Sequence, residues 1–134
     1  MILNEKDKEL IDIASQIVKN NCDIYESPDM HVGAALRAKS GKIYTGLNVR
    51  TSHSICAEQV ALSNALAGGE REFDTLVAVK LDTNGNIKVV SPCGLCRYIY
   101  DKLGYNPTVI VEDIKNGDIL KVKAFDLLPY PYKR

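Results

Sequence analysis

The chain has 134 residues, 46% apolar and 25% charged, with 17 basic residues against 17 acidic ones. That is enough for one domain with a buried core, so residues 1–134 are read as a single domain. The balanced charge lacks the basic excess of a groove that tracks a nucleic-acid backbone, no apolar run approaches a membrane span, and the charged start "MILNEKDKEL" has no secretory leader pattern. Neither nucleic acid nor membrane is therefore expected as a partner, and the chain is placed in the cytoplasm, where cysteines stay reduced.

In chain order, Leu10, Ile13, Ala14, Ile17 and Val18 recur at helical spacing behind Asn4, an N-cap residue. They predict a helix over roughly residues 5–20. "VGAALRAKSGKIYTGLNV" reads as two strands around a Ser-Gly turn. Ile55–Ala67 reads as a helix stopped by Gly68 and Gly69. "TLVAVKL" is a short apolar strand of the kind buried on both faces, and "IKVVS" returns from the turn "DTNGN" either as a strand or as an extended connection. A helix follows Pro92 and ends at Gly104, and "TVIVE" and "ILKVK" are strands around "KNGD". Strands alternating with helices predict an α/β sandwich with helices on both faces of one sheet.

Chemistry concentrates in two stretches, "SPCGLCR" (Ser91–Arg97) and "ICAEQ" (Ile55–Gln59). Cys56, Cys93 and Cys96 each fall at or near a predicted helix N-terminus, where backbone N–H groups favour anions and lower thiol pKa values. Three thiolates leave one position of a tetrahedral zinc open, as a catalytic site requires. Glu58 stands two residues from Cys56. In mid-helix these positions point to different sides, so the pair converges only if Cys56 sits at the very end of the helix. There a carboxylate can carry a proton from water to a substrate nitrogen. Three thiolates also place net negative charge on the centre, and Arg97, next to Cys96, is a candidate donor to a ligand sulfur.

Other readings compete. A C-x-x-C pair can be a redox couple. A structural zinc site would need a fourth ligand, for which His53 is the best candidate and Cys22 the spare. His31 is expected to be half-buried or exposed.

The combination C-A-E … S-P-C-G-x-C-R resembles the zinc-dependent cytidine deaminase family in its three-cysteine variant. "VGAAL", "GKIYTGLNV" and "LLPYPY" also resemble segments of small homotetrameric cytidine deaminases and of blasticidin S deaminases. The resemblance implies a three-layer α/β/α sandwich with a five-stranded mixed sheet. It implies zinc on Cys56, Cys93 and Cys96, with Glu58 as proton shuttle. The backbone at Ala57 would face the pyrimidine, the carbonyl of Ser91 would accept from the leaving amine, and Asn48 would bind a ribose hydroxyl. Tyr132 would reach a neighbouring subunit's active site in a homotetramer. The implied reaction is hydrolytic: water adds at the carbon bearing the exocyclic amine, ammonia leaves, and a keto group remains.

The chain departs from the family's pattern at Arg50, where cytidine deaminases carry a glutamate that accepts from the ribose. Arginine has five donors and no acceptor, so it suits a phosphate or carboxylate if it faces the pocket. Gln59 replaces an arginine that contacts a zinc ligand in many relatives, and His31 replaces an aromatic residue that packs on the substrate. The expectation is thus a zinc-dependent deaminase of cytidine, deoxycytidine or a close cytosine nucleoside. A blasticidin-like or other aminated heterocycle is the alternative substrate, and a non-catalytic zinc-stabilised nucleoside-binding protein is the alternative class.

Overall fold

The computed structural model describes residues 2–132; Lys133 and Arg134, the end of the tail, lie outside the described residues. Helix α1 (Glu5–Lys19) opens with a capping box: Asp7 N–H donates to Asn4 Oδ1 at 3.0 Å, and Asn4 N–H donates to Asp7 Oδ2 at 2.8 Å. After a long loop and a 3₁₀ turn come strands β1 (Val32–Ala38) and β2 (Ile43–Leu47), then helix α2 (Ala57–Ala67). Strands β3 (Phe73–Leu81) and β4 (Ile87–Val90), helix α3 (Gly94–Leu103) and strands β5 (Thr108–Glu112) and β6 (Ile119–Lys123) complete the order. Helix α3 ends in a Schellman motif, with Gly104 at φ 77° and Tyr105 N–H bonded back to Tyr100 O. None of these helices is long and apolar enough to cross a membrane.

The sheet runs β2-β1-β3-β5-β6, with β3–β5 parallel and the other pairs antiparallel. It holds six strands rather than the five expected, because "IKVVS" is a true strand. Strand β1 pairs along one edge of β3, and β4 and β5 share the other. Strand β4 takes Ala78–Leu81 and β5 takes Thr75 and Leu76. The chain leaving β4 at Ser91 must step out of the sheet plane to let β5 in. That step delivers the S-P-C segment to the sheet face that carries α2.

Helices cover both faces, as expected of a three-layer sandwich. On one face α1 buries Leu10, Ala14 and Val18 against Ala35, Val77, Val79 and Ile110. On the other, α2 and α3 bury Ala57, Ala61, Ala65 and Tyr100 against Ala34, Leu36, Leu76 and Ala78. Two glycines set how closely the helices approach. A Cβ on Gly33 would strike Val18 and the carbonyl of Ala14 in α1, and one on Gly46 would strike Ala57 and Ala61 in α2. Lys121 on β6 ties the sheet to α1 through a 2.7 Å ion pair with Asp7, whose carboxylate is almost wholly buried.

Candidate active site

Helix α2 begins at Ala57 rather than at Ile55. Ile55 instead pairs with Val49 in an isolated antiparallel bridge that closes the loop Arg50–Ser54 at its base. Cys56 is thereby the N-cap, in extended conformation (φ −72°, ψ 148°). This is the terminal position that lets a Cys and a Glu two residues apart turn toward the same space. Cys93 is the N-cap of α3, also extended (φ −70°, ψ 171°), and Cys96 lies buried in its first turn.

Two helix N-termini thus bring three sulfurs together. Cys56 Sγ is 3.5 Å from Cys93 Sγ, Cys93 Sγ is 3.6 Å from Cys96 Sγ, and all three lie within 4.8 Å of one another. All are free thiols. Zinc–sulfur bonds of about 2.3 Å put the edge of a tetrahedron near 3.8 Å, so the set fits zinc with little adjustment. Among the described residues no other group of this kind forms. His53 is exposed beside Ser52, and Cys22 is exposed against the carbonyl of Lys19. Neither joins the cluster, so Cys56, Cys93 and Cys96 would hold a tetrahedral zinc and leave its fourth position to a reactant.

The thiols do not share one electrostatic fate. All three were expected to be lowered by helix N-termini. Burial, then the contact with Cys93, instead pushes Cys56 up to about 11. Burial, with the charge of Glu58 behind it, raises Cys96 well above the ordinary thiol range. Burial also acts against Cys93, but the amides of Cys96 and Leu95 and the two neighbouring thiols outweigh it and hold Cys93 below its usual value. Neither N-cap sulfur closes a formal capping hydrogen bond. Burial is thus the largest influence at all three sulfurs, and only at Cys93 do the neighbouring amides and thiols outweigh it. A bound divalent cation reverses that balance, since a coordinating thiol is deprotonated outright.

Glu58 is 6% exposed in the first turn of α2. Burial raises its carboxyl above the usual range, and a hydrogen bond from its own backbone N–H offsets part of the rise. Glu58, Cys56 and Cys93 line one cleft of about 210 Å³ together with Ala57, Ser91, Asn48 and Arg50. That exceeds the ~150 Å³ cavity that holds a benzene ring. Val32 and Val90 form apolar walls, and Ser54 and Ile55 close the loop side.

Arg97 and His31 sit differently from their sequence reading. Arg97 does not serve a ligand sulfur. Its Nε donates to Pro92 O at 2.8 Å and its guanidinium also to Leu127 O at 3.2 Å, so it ties the S-P-C segment to the tail. Adjacent helical residues point about 100° apart, which turns Arg97 away when Cys96 faces inward. His31 is fully buried and outside the cleft. Its Nε2 accepts from Tyr25 N–H at 2.9 Å and its Nδ1 lies 3.2 Å from Pro28 O. Asn48 lines the cleft with its amide already engaged: Oδ1 accepts from Val32 N–H and Nδ2 donates to Met30 O. One lone pair and one N–H remain for a ligand. Arg50 lines the cleft from an exposed position. Tyr132 is 79% exposed and outside the cleft of its own chain.

Sequence reasoning missed Tyr25. Its hydroxyl donates to Asn48 O and accepts from Arg50 N–H, which fixes the cleft edge. It lies in an aperiodic loop, and nothing in the sequence marks it.

Comparison with known proteins agrees with this geometry. The family described as "Cytidine and deoxycytidylate deaminase zinc-binding region" matches residues 4–112. A blasticidin-S deaminase from Bacillus cereus is 32% identical over 98% of this chain and 96% of its own length. A cytidine deaminase from Sporosarcina psychrophila is 38% identical over 77% of this chain and 75% of its own. The crystal structure of cytidine deaminase from Burkholderia pseudomallei superposes with a TM-score of 0.71 at 30% identity, covering 97% of this chain and all of that one. That from Bacillus anthracis, at 23% identity and a TM-score of 0.76, supports the fold. The chain belongs to the cytidine and deoxycytidylate deaminase family.

Proposed function

We propose that this family member hydrolyses the exocyclic C–N bond of a cytosine nucleoside, cytidine or deoxycytidine, giving the uridine product and ammonia. The observation that carries the reading is the convergence in one cleft of three sulfurs at zinc spacing and a buried glutamate from the head of the same helix. Cys56, Cys93 and Cys96 would hold the metal, and zinc supplies Lewis acidity that lowers the pKa of a water from about 15.7 to about 7.

The chain's own groups do the rest. Val32 and Val90 flank the ring and exclude water. The carbonyl of Ser91 accepts from the exocyclic amine and fixes which carbon faces the metal, while the backbone at Ala57 meets the ring edge. Glu58 takes a proton from the attacking water, gives it to the ring nitrogen, and then serves the departing amine. Burial raises its carboxyl above the usual carboxylate range, which makes it a stronger proton acceptor than an exposed glutamate. Asn48 offers its remaining N–H to a sugar hydroxyl.

The same reading makes the protein a cytoplasmic homotetramer acting in pyrimidine salvage. Free thiols suit a reducing compartment, and the exposed tyrosines of the tail, Tyr130 and Tyr132, are apolar surface suited to a subunit boundary. Tyr132 would contribute to a neighbour's site. Light scattering of the active protein tests the assembly and is expected to give four chains.

A second reading keeps the chemistry and changes the sugar. Arg50 at the cleft edge, together with near-full-length similarity to a blasticidin-S deaminase, favours a substrate bearing an anion near the sugar. One experiment separates these readings: ammonia release by zinc-loaded wild type and Glu58→Gln on cytidine, deoxycytidine, cytidine monophosphate and blasticidin S. Cytidine or deoxycytidine should turn over, and Glu58→Gln should lose about 10²–10⁴ of the rate while keeping its zinc. Turnover confined to the anionic substrates selects the second reading. A zinc-loaded wild type silent on all four, or a Glu58→Gln enzyme at full rate, removes the proposed chemistry.

A further inference from the structure

Among the described residues, two buried side-chain polar atoms have no hydrogen-bond partner: the hydroxyl of Tyr100 and Nε2 of Gln59. Both stand one helical turn after a cysteine of the cluster, Tyr100 four residues beyond Cys96 and Gln59 three beyond Cys56. Residues three or four apart share a helix face. Long side chains on a helix lean back toward its N-terminus, over the preceding turn. A Tyr100 side chain that follows this rule lies along α3 toward the end where the sulfurs gather. It is 3% exposed and packed in the core. Burial, with Glu58 and Cys96 behind it, pushes its hydroxyl well above the ordinary tyrosine range.

A buried, unpartnered hydroxyl is a destabilising feature that native cores rarely keep without a use. A three-thiolate site has the complementary need. Three sulfur anions on a divalent ion leave one net negative charge in a buried place, and each sulfur wants a donor. Arg97, the cation nearest in sequence, is bonded to Pro92 and Leu127 instead.

We infer that Tyr100 is a positioning residue of the metal centre, its hydroxyl donating to the thiolate of Cys96 when the metal is bound. The inference rests on the three-cysteine reading given above. Gln59 stands in the same relation to Cys56: an N3 side chain reaches back to its N-cap residue, as in a capping box. The chain would then temper its thiolates with neutral donors rather than with a cation.

The test is Tyr100→Phe, which removes only the oxygen, with Gln59→Met as the parallel variant. Zinc affinity is measured by competition with a chromogenic chelator, and the cobalt-substituted proteins are compared by absorption. Wild type should bind one zinc per chain, and Tyr100→Phe should bind it about 10–100-fold more weakly. The thiolate-to-cobalt charge-transfer band should move to longer wavelength, because a sulfur lone pair that loses a donor gives up its electron more easily. The metal-free variant should melt at or above the wild-type temperature, since it has lost an unpartnered buried group, and should gain less on adding zinc.

Zinc affinity within twofold of wild type with an unmoved cobalt band overturns the inference and leaves the zinc site intact. A variant that keeps its zinc affinity but loses turnover puts the hydroxyl on Glu58 and overturns the sulfur assignment. A variant that is equally destabilised with and without metal makes Tyr100 a core residue only. Absence of zinc from the wild type removes the three-cysteine reading itself.

Discussion

Among the described residues, the three α-helices begin in two ways. Helix α1 starts from a closed capping box, and its N3 carboxylate, Asp7, also binds the half-buried Lys121, so the capping groups at that end are engaged within the fold. Helices α2 and α3 start from cysteines that close no cap. A residue such as Asn at those positions would stabilise each helix by about 1 kcal/mol. The chain forgoes that twice, on the same sheet face, at the two helix ends that meet. One sheet face is built to be finished; the other leaves sulfurs and buried donors for something the polypeptide does not supply.

The most severe way to break this contrast is Cys56→Asn, which gives α2 the cap it lacks. The metal-free protein should melt at or above the wild-type temperature, while stoichiometric zinc and ammonia release both disappear; metal analysis beside calorimetry reads this directly. A clear fall in metal-free stability would mean that the thiol had been holding the helix end, and the contrast would fail.

Asp7→Ala attacks the finished end. It opens the capping box and strands the ammonium of Lys121, a loss of about 3 kcal/mol in denaturant unfolding. Zinc content and kcat of the folded fraction should stay as in wild type.

The two glycine contacts give the finest comparison. Gly33→Ala and Gly46→Ala each force a Cβ into a helix backbone and should each cost about 1–3 kcal/mol. Gly33→Ala displaces α1 and should lower stability alone. Gly46→Ala displaces α2 at Ala57, next to Glu58, and should also lower kcat. Equal kinetic effects from the two would show that the faces are not functionally separate.

The finished face and the reactive face differ in how well the sequence announces them. Helix α1 is legible because its cap and apolar spacing are local, and so are the cysteine motifs, whose spacing fits zinc before any fold is known. The sixth strand was ambiguous because its existence depends on β4 and β5 dividing one edge of β3, a contact between distant segments. His31 and Tyr25 sit in a loop without periodicity, and their mutual packing (ring centroids 4.8 Å apart) has no sequence signature. Arg97 misleads because proximity along a helix is not proximity in space. The tuning of the thiols is hidden for another reason: the sequence shows a helix N-terminus, and only the packed structure shows how far water has been excluded.

The Val49–Ile55 bridge has a consequence for how such an enzyme can change. Its two backbone hydrogen bonds, 3.0 and 2.9 Å, clamp the stems of Arg50–Ser54 immediately before Cys56. Inside the clamp the side chains of Thr51 and Ser54 bond to the loop's own backbone, while Arg50 is exposed at the cleft edge. Position 50 can therefore vary at the rim of the cleft while the backbone that leads into Cys56 keeps its course.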